Sequence, residues 1–127
     1  ETDNGQWKKK YTFPPVIFYN LKKNSKLLQE EIFGPILSCI EFSNIDEAIK
    51  VANNSEYGLA SSIWSNDFEE VHYVSHLINS GIIHINSYGE DGNNIPFGGI
   101  KNSGFGKDKS IFAFQEYTYI KSIVYKR

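Results

Sequence analysis

The sequence predicts an α/β fold with mostly parallel strands. Short runs of β-branched and aromatic residues alternate with segments of helical periodicity, and clusters of glycine, asparagine and serine separate them. The 127 residues are 40% hydrophobic and 22% charged, which is typical of a soluble globular chain. Because a helix between two strands returns the chain for parallel pairing, this alternation favours crossover units.

The first predicted strands lie in the N-terminal half. Residues 1–10 are polar and end in three lysines, so we expect a solvated strap. Residues 11–19 have strand composition, but Pro14 and Pro15 lack backbone donors, which limits this stretch to a sheet edge. A buried strand is predicted for residues 36–42 from its length and apolar content.

The first helix is predicted to begin after Asn44, whose side chain can cap it. Asp46 and Glu47 fall in the first turn, where the helix dipole favours negative charge. We expect the helix to stop at residues 53–55. Its apolar face is Ile45, Ala48, Ile49 and Ala52.

A strand, a helix and another strand are predicted next. Residues 59–64 and 82–85 have strand composition, and Asn66 or Asp67 can cap the helix between them. Gly81 is placed to close that helix. The predicted buried face of the helix is Phe68, Val71, Ser75 and Ile78.

Turn-forming residues fill positions 87–94, and a loop of this length is often functional. More glycines follow up to residue 106. Asp108 can then cap a short helix containing Ile111, Ala113 and Phe114, and residues 119–125 predict a terminal strand. With no marked boundary, residues 11–127 are taken as one domain.

Charge and composition exclude several classes of function. A net charge of −2 gives no basic surface for nucleic acid. No apolar run approaches the length of a membrane span, so we expect no membrane partner. Cys39 is the single cysteine, which fits a reducing, cytoplasmic location. His72 and His76 have metal spacing but lack an accompanying glutamate, and no metal site is predicted.

Two further patterns are weak. Gly104-Phe105-Gly106 follows a loop and lacks a third glycine in register, so it is a poor dinucleotide fingerprint. Cys39 lies in a predicted buried strand without a basic neighbour in sequence, and such a thiol is usually inert packing.

Five ordered motifs, taken together, resemble the C-terminal part of the aldehyde dehydrogenase superfamily. They are Glu30-Glu31-Ile32-Phe33-Gly34-Pro35, Glu47-Ala48-Ile49 with Ala52-Asn53, Tyr57-Gly58-Leu59-Ala60, Gly81-Ile82-Ile83-His84-Ile85-Asn86, and Pro96-Phe97-Gly98-Gly99-Ile100-Lys101-Asn102-Ser103-Gly104. The end, Tyr117-Thr118 with Lys121, resembles the family's last strand. The resemblance implies part of a three-layer catalytic domain.

The resemblance implies roles for particular residues. Glu31 is expected to bind the nicotinamide-side ribose, with Phe33 near the nicotinamide ring. Phe97 is expected to line the aldehyde tunnel, opposite the Glu31 region in one pocket. Ser87 and Asp91 belong to the substrate-variable loop. The acidic pair Glu90 and Asp91 points to a cationic aldehyde, although two solvated loop acids explain it equally well.

The resemblance also implies what these 127 residues lack. The family's cysteine nucleophile, its glutamate base and its Rossmann-type cofactor domain belong to segments N-terminal to this stretch. We therefore expect NAD or NADP to serve the complete enzyme, with no cofactor bound and no turnover by this chain alone. The family's last strand, here within residues 117–127, pairs between subunits, so a homo-oligomer is expected. The alternative is a non-catalytic remnant that acts as an oligomerising module.

Overall fold

The structure is a computed structural model that describes residues 12–89 and 92–127. Contacts divide the chain into two compact units, the first ending at Ser55 and the second beginning at Glu56. The predicted strap, residues 1–10, lies outside the described residues. The assignment of residues 11–127 to one domain stays a prediction.

The first unit contains a pair of parallel strands. Strand β1 (Val16–Phe18) pairs with β2 (Ile36–Ser38), with Val16 opposite Ile36. A short 3-10 helix, Lys26–Leu28, lies between them in sequence. The predicted edge strand thus forms, but only after the two prolines, where backbone donors are available again.

Helix α1 (Ile45–Asn53) confirms the predicted cap and end. The Asn44 side chain accepts a hydrogen bond from the Glu47 backbone amide at 2.9 Å. Ile49 is 8% exposed and is a core residue of this unit. The Asn44 cap therefore predicted where α1 begins, and the predicted apolar face is confirmed at Ile49, with Ile45 and Ala48 half-buried, whereas Ala52 is exposed.

The second unit is built around a β-α-β crossover. Strand β4 (Ala60–Ile63) pairs in parallel with β5 (Ile82–Ile85), and helix α2 (Phe68–Leu77) connects them. A second ladder is antiparallel, and the unit ends with a short helix. These elements are β3 (Tyr57–Gly58) paired with β6 (Ile100–Lys101), and α3 (Phe112–Glu116). The predicted α/β class with parallel strands is confirmed.

Helix α2 confirms one predicted cap but only part of the predicted face. The Asp67 carboxylate accepts a hydrogen bond from the Glu70 amide at 3.1 Å. Val71 is 5% exposed, whereas Phe68 is 80% exposed and is not a core residue. Phe68 is the first residue of the helix, and a helical side chain leans toward the N-terminal end, so Phe68 leans away from the body of α2.

Two sequence interpretations are wrong. Gly81 does not close α2, because the helix ends at Leu77 with Ile78 in extended conformation as its cap. Asp108 does not cap α3, which has no side-chain cap. Instead Asp108 forms a β-bridge with Phe97, so its backbone is committed to a different pairing.

The predicted terminal strand pairs with no other strand among residues 12–89 and 92–127. Residues 118–127 belong to no helix or ladder and are exposed. Because a strand exists only by pairing, the composition of residues 119–125 alone does not produce one. In the part of the chain that the structure describes, no helix is both long and apolar enough to cross a bilayer. No group of three or more metal-ligating side chains comes together in residues 12–89 and 92–127.

Candidate functional site

In the first unit, the candidate cofactor residues lie on a tight turn before β2. The Gly34 amide donates to the Ile32 carbonyl and the Ile36 amide donates to the Gly34 carbonyl, both at 2.8 Å. The Pro35 carbonyl accepts from the Val16 amide at 2.9 Å, which attaches the turn to β1. Two successive three-residue turns and one strand contact therefore restrain the backbone from Ile32 to Ile36.

The side chains of this turn face solvent. Glu31 is exposed and Phe33 is 94% exposed. A carboxylate can accept hydrogen bonds from two neighbouring hydroxyl groups, and a flat apolar ring can pack beside a heterocycle. The two residues thus have chemistry that fits the ribose and nicotinamide of a dinucleotide.

In the second unit, Asn86 closes the end of the β4–β5 ladder. Its amide side chain donates to the Ser65 carbonyl at 2.9 Å and accepts from the Ser65 amide at 3.0 Å. Asn86 has φ of 51°, a left-handed conformation that asparagine tolerates better than most residues. This clamp sets the direction in which the chain leaves β5.

The loop that follows carries the other predicted substrate residues. Ser87 is half-buried, and its carbonyl accepts a hydrogen bond from the Ser62 hydroxyl at 2.6 Å. The structure therefore assigns the Ser87 backbone to holding the start of the loop. Glu90 and Asp91 lie outside the described residues, so the acidic pair stays a prediction.

Phe97 is half-buried and fixed by backbone pairing. Its amide donates to the Asp108 carbonyl at 2.9 Å, and the Asp108 amide donates to the Phe97 carbonyl at 2.7 Å. The Lys109 ammonium lies 5.5 Å from the centre of the Phe97 ring, within the range of a cation–π contact. An aromatic ring with so defined a backbone can form a rigid apolar wall.

The segment after Phe97 packs closely on the start of β5. A Cβ atom at Gly81 would lie 1.7 Å from the Gly98 carbonyl oxygen, so only glycine fits there. The Lys107 ammonium donates to the Gly98 carbonyl at 2.6 Å. Sequence reasoning missed Lys107, and its position in the glycine-rich segment was the only available signal.

Cys39 is a half-buried residue directly after β2. Its amide donates to the Phe18 carbonyl at 2.7 Å and so extends the β1–β2 pairing. This position agrees with a packing role in the sheet. Glu31 and Phe97 belong to different units, and the pocket they would share stays a prediction.

These motifs have clear relatives. The sequence profile of the aldehyde dehydrogenase family matches residues 2–123. The chain belongs to the aldehyde dehydrogenase family. Among curated relatives, it is 38% identical over 109 residues to the NADP/NAD-dependent aldehyde dehydrogenase PuuC of Escherichia coli (strain K12), a match that covers 86% of this chain.

Solved aldehyde dehydrogenases have the same fold. The AldA indole-3-acetaldehyde dehydrogenase of P. syringae, solved in complex with NAD+ and IAA, has a TM-score of 0.84 and 39% identity over 88% of this chain. The aldehyde dehydrogenase KauB from Pseudomonas aeruginosa has a TM-score of 0.81 and 41% identity over 84% of this chain. The matched part is 22% of PuuC, 23% of the AldA chain and 22% of the KauB chain, so the chain spans about a fifth of the length of these relatives.

Proposed function

We propose that these 127 residues are the C-terminal part of an NAD(P)-dependent aldehyde dehydrogenase that oxidises an aldehyde to a carboxylate. In this proposal Glu31 and Phe33 contact the cofactor, and Phe97, Ser87 and Asp91 line the aldehyde site. The thiol nucleophile and the general base come from an N-terminal complement. The chain alone binds no cofactor and is inactive.

The observation that carries the proposal is the exposed pair on the Gly34 turn. An aromatic side chain that is 94% exposed contributes almost nothing to packing within its own unit. The exposed carboxylate of Glu31 stands two residues away in sequence, directly before the hydrogen-bonded turn that begins at Ile32. Exposed groups on a fixed turn are suited to binding another molecule.

The test is complementation. The segment of KauB that this chain matches is deleted, and the remaining N-terminal part is combined or fused with the 127 residues. NADH or NADPH formation from an aldehyde is then followed by absorbance. We expect turnover only when both parts are present, and a chain that turns over alone, or a folded hybrid without turnover at any ratio, would contradict the proposal.

A pair of neighbouring variants tests the cofactor role. Glu31→Gln removes the ribose-binding carboxylate, and we expect the KM for the cofactor to rise about tenfold, as for loss of a charge-assisted hydrogen bond. Glu30→Gln is the matched control, because the Glu30 carboxylate lies 3.5 Å from the Lys26 ammonium in an exposed ion pair. If the two substitutions change the KM for the cofactor equally, Glu31 is not part of the cofactor site.

The substrate class is the finer part of the proposal. The acidic pair at positions 90 and 91 favours a cationic aldehyde such as an amino- or trimethylammonio-aldehyde. In the complemented enzyme, Asp91→Asn is expected to lower kcat/KM for an aminoaldehyde several-fold relative to an uncharged aldehyde of the same length. An unchanged ratio assigns Asp91 to the solvated surface of the loop.

A second candidate function, an oligomerising module without catalysis, is favoured by the terminal segment, residues 117–127. Ile120 is 97% exposed and Val124 is 90% exposed, and neither is covered by the rest of the described chain. An apolar segment without a strand partner can add to a sheet edge of a second copy. Light scattering of the chain is expected to show a homo-oligomer that Ile120→Lys dissociates, whereas a strictly monomeric species would exclude this module.

A further inference from the structure

We propose that Lys107 is a positioning residue for the aldehyde site, because its ammonium group holds the backbone on which Phe97 sits. The inference rests on the proposed function for the role of Phe97 as a substrate wall. The contacts themselves lie entirely within the second unit.

Lys107 joins the two backbone segments that form the Phe97 wall. Its ammonium donates to the Gly98 carbonyl at 2.6 Å and lies 3.4 Å from the Gly99 carbonyl. The next residue, Asp108, pairs with Phe97 through two backbone hydrogen bonds. The Lys107 side chain and the Asp108 backbone therefore connect the same two segments at consecutive positions.

The Gly98 backbone lies in a crowded position. Its carbonyl oxygen is where a Cβ of Gly81 would have to be, and a Cβ on Gly98 itself would lie 2.4 Å from the Gly106 carbonyl oxygen. The peptide is thus confined from both sides. Gly98 directly follows Phe97 in the chain, so these contacts restrain the backbone next to Phe97.

Lys107 is half-buried and lines a largely apolar groove together with Ile82, Ile95, Pro96 and Phe112. A lysine in such a position can keep its apolar stem along the groove while its ammonium group reaches the two carbonyls. Hydrogen bonds from a charged donor are stronger than neutral ones, and their loss would leave the Gly98 carbonyl without its charged donor. Methionine has a similar apolar stem without a donor, so Lys107→Met separates the hydrogen bonds from the packing.

Lys107 positions Phe97 and does not position the reacting carbon. Its effect is therefore on binding of the substrate chain. Loss of the hydrogen bonds is expected to raise the KM for a bulky aromatic aldehyde about tenfold and to leave the kcat nearly unchanged. The KM for acetaldehyde, which is too short to reach a tunnel wall, should change less than about twofold. A general structural defect would lower the kcat for both aldehydes.

The experiment measures steady-state kinetics of the KauB hybrid with both aldehydes. The variants are Lys107→Met, Lys107→Arg as the conservative rescue, and Lys22→Met as an exposed control in the first unit. We expect Lys107→Arg to restore the KM for the aromatic aldehyde and Lys22→Met to have no effect. Equal KM values for the parent and Lys107→Met on the aromatic aldehyde overturn the inference, while turnover of acetaldehyde leaves the proposed function standing.

A second measurement tests the same link without turnover. Amide hydrogen exchange of the 127-residue chain is followed at Phe97 and Asp108 by NMR. Lys107→Met is expected to speed exchange at both amides about tenfold, and Lys107→Arg to restore it. Unchanged exchange in Lys107→Met, or unprotected amides in the parent chain, overturns the inference even when the hybrid is inactive and the proposed function has failed.

Discussion

The turn at Gly34 and the segment around Gly98 are built in opposite ways. The first is fixed by short-range backbone hydrogen bonds and one contact with β1, and it leaves Glu31 and Phe33 exposed. The second is confined by Gly81, Gly106 and Lys107, and its aromatic residue is half-buried. Hydrogen bonds within a turn are enough to present accessible side chains in the first region, whereas the second region depends on close packing between segments that are distant in sequence.

The largest expected effect comes from filling the space at Gly81. In Gly81→Val a Cβ would occupy a position 1.7 Å from a backbone oxygen, which no side-chain rotation can relieve. We expect the free energy of unfolding of the second unit to fall by about 3 kcal/mol or more. Urea denaturation followed by circular dichroism measures this loss.

Gly34→Ala is the matched change in the other region. The nearest atom to a Cβ at Gly34 is an Ile32 side-chain carbon at 3.9 Å, an ordinary contact. The expected change in unfolding free energy is within about 0.5 kcal/mol. Similar losses for the two substitutions would show that the contrast between the regions is wrong.

Substitution of Asn86, whose side chain is bonded to Ser65, is expected to reduce stability less than substitution of Gly81. Asn86→Ala removes two hydrogen bonds to Ser65 and places a Cβ-bearing residue without a polar side chain at φ of 51°. We expect a loss of about 2 kcal/mol, of which Asn86→Gly should recover the backbone part, roughly 1 kcal/mol. Thermal unfolding of the two variants measures both parts, and a glycine variant as unstable as the alanine variant would assign the whole effect to the side chain.

The smallest effect concerns the ion pair between Lys23 and Glu47 in the first unit. A hydrogen bond from Lys23 lowers the pKa of Glu47, with a further contribution from the Ser43 amide. A lowered folded-state pKa adds stability above the pKa of the unfolded state, and that stability is lost as the pH falls through the folded-state value. Because Lys23 is largely exposed, the contribution is small and screened by salt.

An NMR titration of the Glu47 carboxyl group measures this effect. Lys23→Met is expected to raise the titration midpoint of Glu47 and to reduce the loss of stability on acidification. Lys22→Met, which changes the adjacent lysine, should leave the midpoint where it is. If neither substitution changes the titration midpoint of Glu47, the lowered pKa is assigned to the Ser43 amide alone.

Local rules predicted the helices well. Asn44 and Asp67 cap α1 and α2 as expected. The side-chain oxygen accepts a hydrogen bond from the free amide three residues later, and this bond needs no tertiary contact. Ile49 and Val71 are buried as their helical spacing predicted. The parallel pairing of β4 and β5 followed from the helix between them.

The failures arise where distant parts of the chain decide the structure. Gly81 has the composition of a helix stop, yet its space is taken by Gly98, which is 17 positions away. Asp108 has a capping side chain, but its backbone pairs with Phe97. The contact of Lys107 with the Gly98 carbonyl left no periodic or capping pattern in the sequence, so no local rule could find it.

The crossover of β4, α2 and β5 has a consequence for the order of folding. Its strands pair Ala60 with Ile82 and Ile63 with Ile85, so the loop to be closed is short and contains a capped helix. Segments with such nearby contacts lose little chain entropy on closure and form early. We therefore expect this crossover to form during synthesis before the Phe97 segment emerges, and to provide the surface at Gly81 on which that segment later docks.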